Sequence, residues 1–318
     1  MLKIENLSVG FDTPRGLITV LDGLSYHLKK GEVLAVVGES GCGKTMHSLA
    51  LTGLLPAGAR ITGGSILYKN QDIAKMDEKA LREVRGSGIG MIFQDPMMSL
   101  NPVFTIASQI TETLRCHKKI SRKEALKQAG QLLKKVGIEE KFLKAYPHQL
   151  SGGMRQRVMA ALALCLHPDI LIADEPTTAL DVTVQRQILE LIKKLKEEFS
   201  ASVIFITHNL AIVNNIADRV LVLYAGQKVE ECSKEELFKK PLHPYSEGLL
   251  NSVVRLDCSE TRLKAIKGAP PAAGEVFTGC KFAPRCPYST EKCRTQKPPL
   301  FDVSGRLVRC WKYGGKND

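Results

Sequence analysis

The chain has 318 residues, 44% of them hydrophobic and 25% charged, with a net charge of +12. It is long enough to bury a sizeable core and suits one large domain with an appendage, or two domains. No apolar run reaches the roughly 18 residues that a spanning helix needs, so no transmembrane helix is expected. Met1–Asn6 has no apolar secretory stretch, and a cytoplasmic protein is expected. Nine cysteines in such a chain are expected to be thiols or metal ligands rather than disulfides.

In chain order, strands are expected over 2–9 and 18–28, with a turn at Phe11–Gly16 between them. The apolar run Val33–Val37 reads as a buried strand and 46–55 as a helix. Between them stands Gly38-Glu39-Ser40-Gly41-Cys42-Gly43-Lys44-Thr45. This G-x-x-x-x-G-K-T loop, placed between strand and helix, is a phosphate cradle. Its glycines turn backbone N–H groups inward, Lys44 reaches the β- and γ-phosphates, and the Thr45 hydroxyl ligates Mg²⁺. Gly63-Gly64 is expected to open a strand over 65–68, 77–86 to be helical, and Ile89–Phe93 to be a short strand ending at Gln94. From Asp95 to Leu150 the chain turns mainly helical, as an insertion into an α/β core.

The core resumes at Ser151. Helices are expected over 152–166, 182–198 and 209–217, and strands over 170–173, 202–206, 219–224 and 227–230. This alternation implies a parallel sheet with helices on both faces. Strand 170–173 ends in Asp174-Glu175: Asp174 suits Mg²⁺ and Glu175 a general base. Ser151-Gly152-Gly153-Met154 opens a helix with a capping serine and forms a second anion site, which makes sense if a second subunit closes on it.

These motifs together resemble the nucleotide-binding subunit of an ABC transporter. Gly38–Thr45 is similar to the Walker A motif, Leu171–Glu175 to Walker B, and Ser151–Met154 to the signature, with Met154 in place of the usual Gln. Gln94 resembles the Q-loop glutamine, which ligates Mg²⁺ and senses the membrane partner. Ala179-Leu180-Asp181 resembles the D-loop, and His208 the switch histidine at the γ-phosphate. The resemblance implies a P-loop ATPase core with an antiparallel β subdomain and a helical insertion at about 95–150. It also implies ATP and Mg²⁺ bound by Gly38 through Met46 and closed by the partner's Ser151–Met154 and Asp181. An aromatic near the N-terminus stacks adenine in such subunits. Phe11 occupies that place, with ordinary core packing as the other reading, and Arg60 is a further candidate for the nucleotide.

Beyond about Lys240 the composition shifts: eight of the 15 prolines lie there, and little regular structure is expected after a helix at 245–254. Residues 255–318 hold 13 basic and 6 acidic residues, a net +7 of the chain's +12. A solvated face, an anionic lipid surface, nucleic acid and an anionic cofactor all remain open. Cys280, Cys286, Cys293 and Cys310 cluster here, whereas Cys42, Cys116, Cys165, Cys232 and Cys258 are scattered. No C-x2–4-C knuckle of the zinc type occurs, and the wider spacing suits a [4Fe–4S] cluster, with zinc or no metal as alternatives. Lys281, Arg285, Lys292, Arg294, Arg309 and Lys312 are expected to compensate the cluster's negative charge.

Lys240–Ser246, Gly268–Pro271 and Gly279–Pro287 resemble the C-terminal region of dipeptide and oligopeptide uptake ATPases. Some members carry this cysteine pattern, which again points to iron–sulfur. The implied organisation is a nucleotide-binding domain over 1–240 and a small irregular Cys-rich domain over 241–318. The implied function is ATP hydrolysis energising peptide import from the cytoplasmic face of the membrane. The implied partners are a second ATPase subunit, identical or related, two permease subunits and, indirectly, an extracytoplasmic peptide-binding protein; no nucleic acid is expected. Rival readings are an importer of another solute such as nickel, a soluble ABC ATPase acting on nucleic acid or ribosomes, and a redox enzyme.

Overall fold

A computed structural model of the chain describes residues 1–14, 16–178, 180–252, 266–272 and 274–314. The chain divides into two compact bodies, residues 1–75 with 207–318, and residues 76–206. Cys258 and Ala179 lie outside the described residues, as do 253–254 of the expected helix.

The first body opens with β1 (Leu2–Thr13) and β2 (Gly16–Leu28), an antiparallel hairpin. The expected turn at Phe11–Gly16 is tighter than its composition suggested. Phe11, Asp12 and Thr13 stay in the strand, opposite Ile18, Leu17 and Gly16. A hairpin tip in solvent needs no apolar alternation, so periodicity did not reveal the pairing. Then come β3 (Val33–Val37), buried throughout, α1 (Lys44–Thr52), β4 (Ala59–Tyr68) and β5 (Gln71–Asp72). The antiparallel sheet has the order β2-β1-β4-β5. Gly63-Gly64 sits inside β4, not at its start, where the β1–β4 register shifts between Glu5 and Ser8. Gly64 has φ +83°, and a Cβ there would lie 2.4 Å from the Asn6 carbonyl. The glycine is required by a bulge, which sequence alone does not separate from a strand boundary.

The second body holds α2 (Glu78–Val84), β6 (Ile89–Ile92), α3 (Pro96–Ser99), α4 (Ile106–His117), α5 (Arg122–Lys135), α6 (Gly152–Leu164), β7 (Ile170–Asp174), α7 (Val182–Phe199) and β8 (Ser202–Thr207). Strands β6, β7 and β8 pair in parallel. The helical run expected over 95–150 is present as α3–α5 and two 3₁₀ turns. On α5, Ala125, Ala129, Leu132 and Leu133 form the buried face at helical spacing. Side chains of Thr105, Ser121, Ser151 and Asp181 each accept a backbone N–H three residues on, fixing where α4, α5, α6 and α7 begin.

The chain then returns to the first body with α8 (Leu210–Ile216), β9 (Arg219–Tyr224), β10 (Gln227–Ser233), α9 (Lys234–Lys239), α10 (Pro244–Asn251), α11 (Glu291–Thr295), β11 (Phe301–Val303) and β12 (Arg306–Val308). Strand β9 runs parallel to β3, and the order continues β11-β12-β10-β9-β3. Little regular structure is expected beyond 254, yet that segment adds two strands to this sheet. Three-residue strands are too short to show a period.

Buried charge fixes that addition. Glu230, on β10 and fully buried, accepts hydrogen bonds from the Leu242 and His243 N–H groups, both at 2.9 Å, and pairs with Arg306 of β12 at 2.7 Å. Among the described residues, no helix is long and apolar enough to cross a membrane.

Candidate functional site: the phosphate loop, the acidic strand end and the cysteine cavity

The glycine loop lies between β3 and α1, in the first body. Gly43, left-handed at φ 105°, caps α1. A Cβ at Gly38 would come within 2.3 Å of the Leu223 carbonyl oxygen, so β9 presses on the loop where only glycine fits. The Lys44 ammonium is buried and donates to the carbonyls of Gly38 (2.8 Å) and Glu39 (3.0 Å), which places its charge over the loop. Thr45 is exposed at the start of the helix, while Ser40 and Gly41 face solvent. Helix-start N–H groups, a central ammonium and an accessible hydroxyl fit a triphosphate with Mg²⁺.

Asp174 ends β7 in the second body and is 1% exposed. Glu175 follows in the left-handed region at φ 45°, an uncommon conformation for a residue with a Cβ. Its N–H donates to the Ile206 carbonyl at 2.9 Å, which fixes the backbone at the edge of β8. Its carboxylate accepts from the Thr178 hydroxyl (3.0 Å) and from the Gln94 amide (3.4 Å). Gln94 follows β6, so two adjacent parallel strands deliver the pair to one sheet edge. Backbone strain of this kind concentrates at functional sites. Ser151 caps α6 by accepting the Met154 N–H at 3.3 Å, and Asp181 caps α7 by accepting the Val184 N–H at 2.9 Å. His208 lies between β8 and α8 and is exposed.

Comparison with known proteins covers both ends of the chain. The family model described as "ABC transporter" matches residues 21–178. The one described as "Oligopeptide/dipeptide transporter, C-terminal region" matches residues 229–293. "Oligopeptide transport ATP-binding protein AppD" of Bacillus subtilis is 49% identical over 98% of this chain and 97% of its own. "Oligopeptide transport ATP-binding protein OppD" of Escherichia coli is 47% identical over 98% and 93%. The chain belongs to the ABC transporter ATP-binding family, in its oligopeptide and dipeptide branch.

Among solved structures, the ATP-binding cassette MJ0796, in a dimeric post-hydrolysis state with ADP and Pi, superposes with a TM-score of 0.67. It is 30% identical and covers 74% of this chain and 99% of its own. The P-loop fold of ABC ATPases is thereby shown, and so is an ATPase.

In this ABC subunit Phe11 is half-buried on β1 opposite Ala59, one position from Arg60 on β4. The Arg60 guanidinium pairs with Asp12 at 2.7 Å on the surface. Cys42 is buried and its thiol is pushed up to about 11 by burial, so it is a neutral packing group in the loop. Cys165 and Cys232 are likewise buried, with thiols raised to about 12 by burial, and Cys116 is exposed.

Cys280, Cys286, Cys293 and Cys310 line one cavity of about 350 Å³, together with Phe282 and Trp311. The Cys280 N–H donates to the Cys293 carbonyl at 2.7 Å, which brings those two segments side by side. Burial raises the thiols of Cys280 (to about 11), Cys286 and Cys310. Among the described residues, no group of three or more His, Cys, Asp or Glu side chains is set to hold a metal ion.

Of the six cations expected to compensate the cluster, three pair elsewhere, and Arg294 lines an adjoining cavity with Cys280 and Cys286. Lys292 and Lys312 line the cavity, and Lys292 sits 3.9 Å over the Trp311 ring. Arg285 is turned away to Glu39, Lys281 to Asp22 and the Ala225 carbonyl, and Arg309 to the carbonyls of Lys228 and Pro298. Buried side chains seek specific partners, and proximity along the sequence does not reveal them. Sequence reasoning also missed Thr178, three residues past Glu175 in the turn, and Tyr245, whose hydroxyl accepts the Glu39 N–H at 2.8 Å.

Proposed function

We infer that the chain is the ATP-hydrolysing subunit of an importer of short peptides. The observation that carries this is identity of 47–49%, over nearly the whole chain, with relatives named for oligopeptide transport. The similarity includes the C-terminal region over 229–293, which lies outside the generic cassette.

In this reading Lys44 and the N–H groups of Gly38–Met46 hold the phosphates, and Phe11 and Arg60 flank the base. Glu175 takes a proton from the attacking water, with its carboxylate aimed by Thr178 and Gln94. His208 contacts the γ-phosphate. Thr45, Gln94 and Asp174 would hold Mg²⁺, which supplies charge neutralisation at the β- and γ-phosphates. Ser151–Met154 and Asp181 of a second ATPase subunit, identical or related, complete the site. Two permease subunits receive the motion at the cytoplasmic face, fed by an extracytoplasmic peptide-binding protein. A nucleotide-binding domain over 1–240, with its helical part at 95–150, and a Cys-rich C-terminal region over 241–318 belong to the same proposal.

Cys280, Cys286, Cys293 and Cys310 would hold a [4Fe–4S] cluster. Four thiols spread around a cavity suit a multi-iron body better than zinc, whose four ligands converge at about 2.3 Å. A nucleic-acid role gains no support from the basic C-terminal region. Arg285, Arg306 and Lys281 are paired with Glu39, Glu230 and Asp22 inside the protein.

Glu175→Gln is expected to trap a nucleotide-bound dimer and abolish turnover. Wild-type ATPase rates in that variant refute the general-base assignment. Anaerobically purified protein is expected to be coloured and to contain iron; colourless protein with zinc and no iron ends the cluster reading. Uptake of labelled di- and oligopeptides by the assembled complex tests the substrate class, against nickel and sugars.

A further inference from the structure

The second residue of the phosphate loop is Glu39, a carboxylate that an anion cradle does not need. A carboxylate beside a triphosphate repels it. Its partner comes from 246 residues away: Arg285 donates from Nη1 to Glu39 Oε2 at 2.6 Å and from Nη2 to Oε1 at 2.9 Å. This is a bidentate pair, and the Arg285 side chain is only 5% exposed. Its guanidinium lies 5.8 Å over the Tyr224 ring, and its Nε donates to the Lys267 carbonyl. The Glu39 main chain is held as well: its N–H donates to the Tyr245 hydroxyl, and its carbonyl receives Lys44.

Arg285 ends a 3₁₀ turn between two lining residues of the cysteine cavity, Cys280 and Cys286. The other end of that short segment is tied to the same loop. Lys281 donates to the Ala225 carbonyl at 2.9 Å, and the adjoining Gly226 N–H donates to the Cys42 carbonyl at 2.9 Å. One wall of the cavity therefore reaches the phosphate loop directly through Arg285 and indirectly through Ala225-Gly226.

We propose that Arg285 is a positioning residue of the ATP site, neutralising and pinning Glu39, and that it couples the four-cysteine cavity to nucleotide affinity. Whatever orders the Cys280–Cys286 segment then strengthens ATP binding, and ATP binding orders the segment in return, because coupling is reciprocal. The role of Arg285 at Glu39 is independent of what the cavity holds; only the identity of the ordering group rests on the iron–sulfur reading above.

The test uses the purified full-length chain and MgATP. Arg285→Ala is expected to weaken MgATP binding by about 5- to 50-fold. The double variant Arg285→Ala/Glu39→Gln is expected to recover to within about threefold of wild type, because it removes the unmasked charge; loss through misfolding would not be rescued this way. Binding by Arg285→Ala within about twofold of wild type, or a double variant as weak as the single one, overturns the positioning role. Coupling is read from amide hydrogen exchange of the 279–287 segment, followed by mass spectrometry on protein as purified. MgATP is expected to slow it at least about threefold in wild type and not in Arg285→Ala. Equal rates with and without MgATP overturn the coupling. Iron content is measured on the same samples, so absence of a cluster is scored separately from absence of coupling.

Discussion

Glu230 decides whether the C-terminal segment stays on the sheet. Its carboxylate is fully buried and takes three charge-assisted hydrogen bonds, from Leu242 N–H, His243 N–H and the Arg306 guanidinium. Glu230→Ala strands Arg306, itself 8% exposed, at a cost of about 3–5 kcal/mol. It also leaves two backbone donors without their acceptor, each worth about 1–3 kcal/mol. These costs share one network and do not add fully, so about 4–6 kcal/mol is expected. That is a large part of the roughly 5–15 kcal/mol that holds a domain together. Release of β11, β12 and the cysteine segment is then cheaper than global unfolding. Pulse proteolysis across a urea series is the assay. The variant is expected to be cut within 234–314 at urea concentrations where wild type is intact. Glu230→Leu/Arg306→Leu is expected to recover about 3 kcal/mol, since the charge is no longer stranded. Glu235→Ala, whose carboxylate is 72% exposed, serves as the control and is expected to behave as wild type. A Glu230→Ala shift below about 1 kcal/mol refutes the anchoring argument.

Acid is expected to loosen the first body. Burial holds His47 down to about 4 and His243 down to about 3, against 6.5 for an unfolded histidine. Both are neutral when folded, and His243 Nδ1 accepts the Tyr245 N–H at 3.0 Å. Below pH 6.5 the unfolded chain takes up protons that the folded chain refuses. Their contribution is therefore complete above about pH 6.5 and is lost as pH falls through 6.5 toward 4 and 3, on the order of 3 kcal/mol for His47 and 5 kcal/mol for His243. Urea unfolding at pH 7.5, 5.5 and 4.5 measures it, and His243→Asn, which keeps the cap, is expected to flatten the slope; an unchanged slope refutes the assignment. Gly64→Ala is expected to cost at least about 2 kcal/mol, from the left-handed backbone and the clash with Asn6. Gly63→Ala, whose added Cβ meets nothing nearer than 3.9 Å, is expected to be within about 0.5 kcal/mol of wild type in the same thermal melts. Cys42→Ala is expected to leave MgATP affinity within about twofold, because the buried neutral thiol contributes packing only. A larger loss on titration with nucleotide assigns the thiol a role in the loop.

Contiguous chemistry was legible without coordinates. The phosphate loop, the Asp174-Glu175 strand end and the Ser151 cap are each built from neighbours in the chain, and local backbone geometry is enough to set their shape. Strands 170–173 and 219–224 were equally plain, because a buried parallel strand shows as an unbroken apolar run. Strand β12 and the Gly64 bulge were hidden, since three residues carry no period and a glycine pair reads alike at a bulge and at a boundary. The four late cysteines were already grouped by their sequence; the tertiary structure sets them around one cavity. It also turned Arg285 from an assumed neighbour of those thiols into the partner of Glu39. The reason is physical: a buried charge must be matched by whatever opposite charge the folded chain brings within hydrogen-bond reach. Spacing along the chain carries no record of that choice.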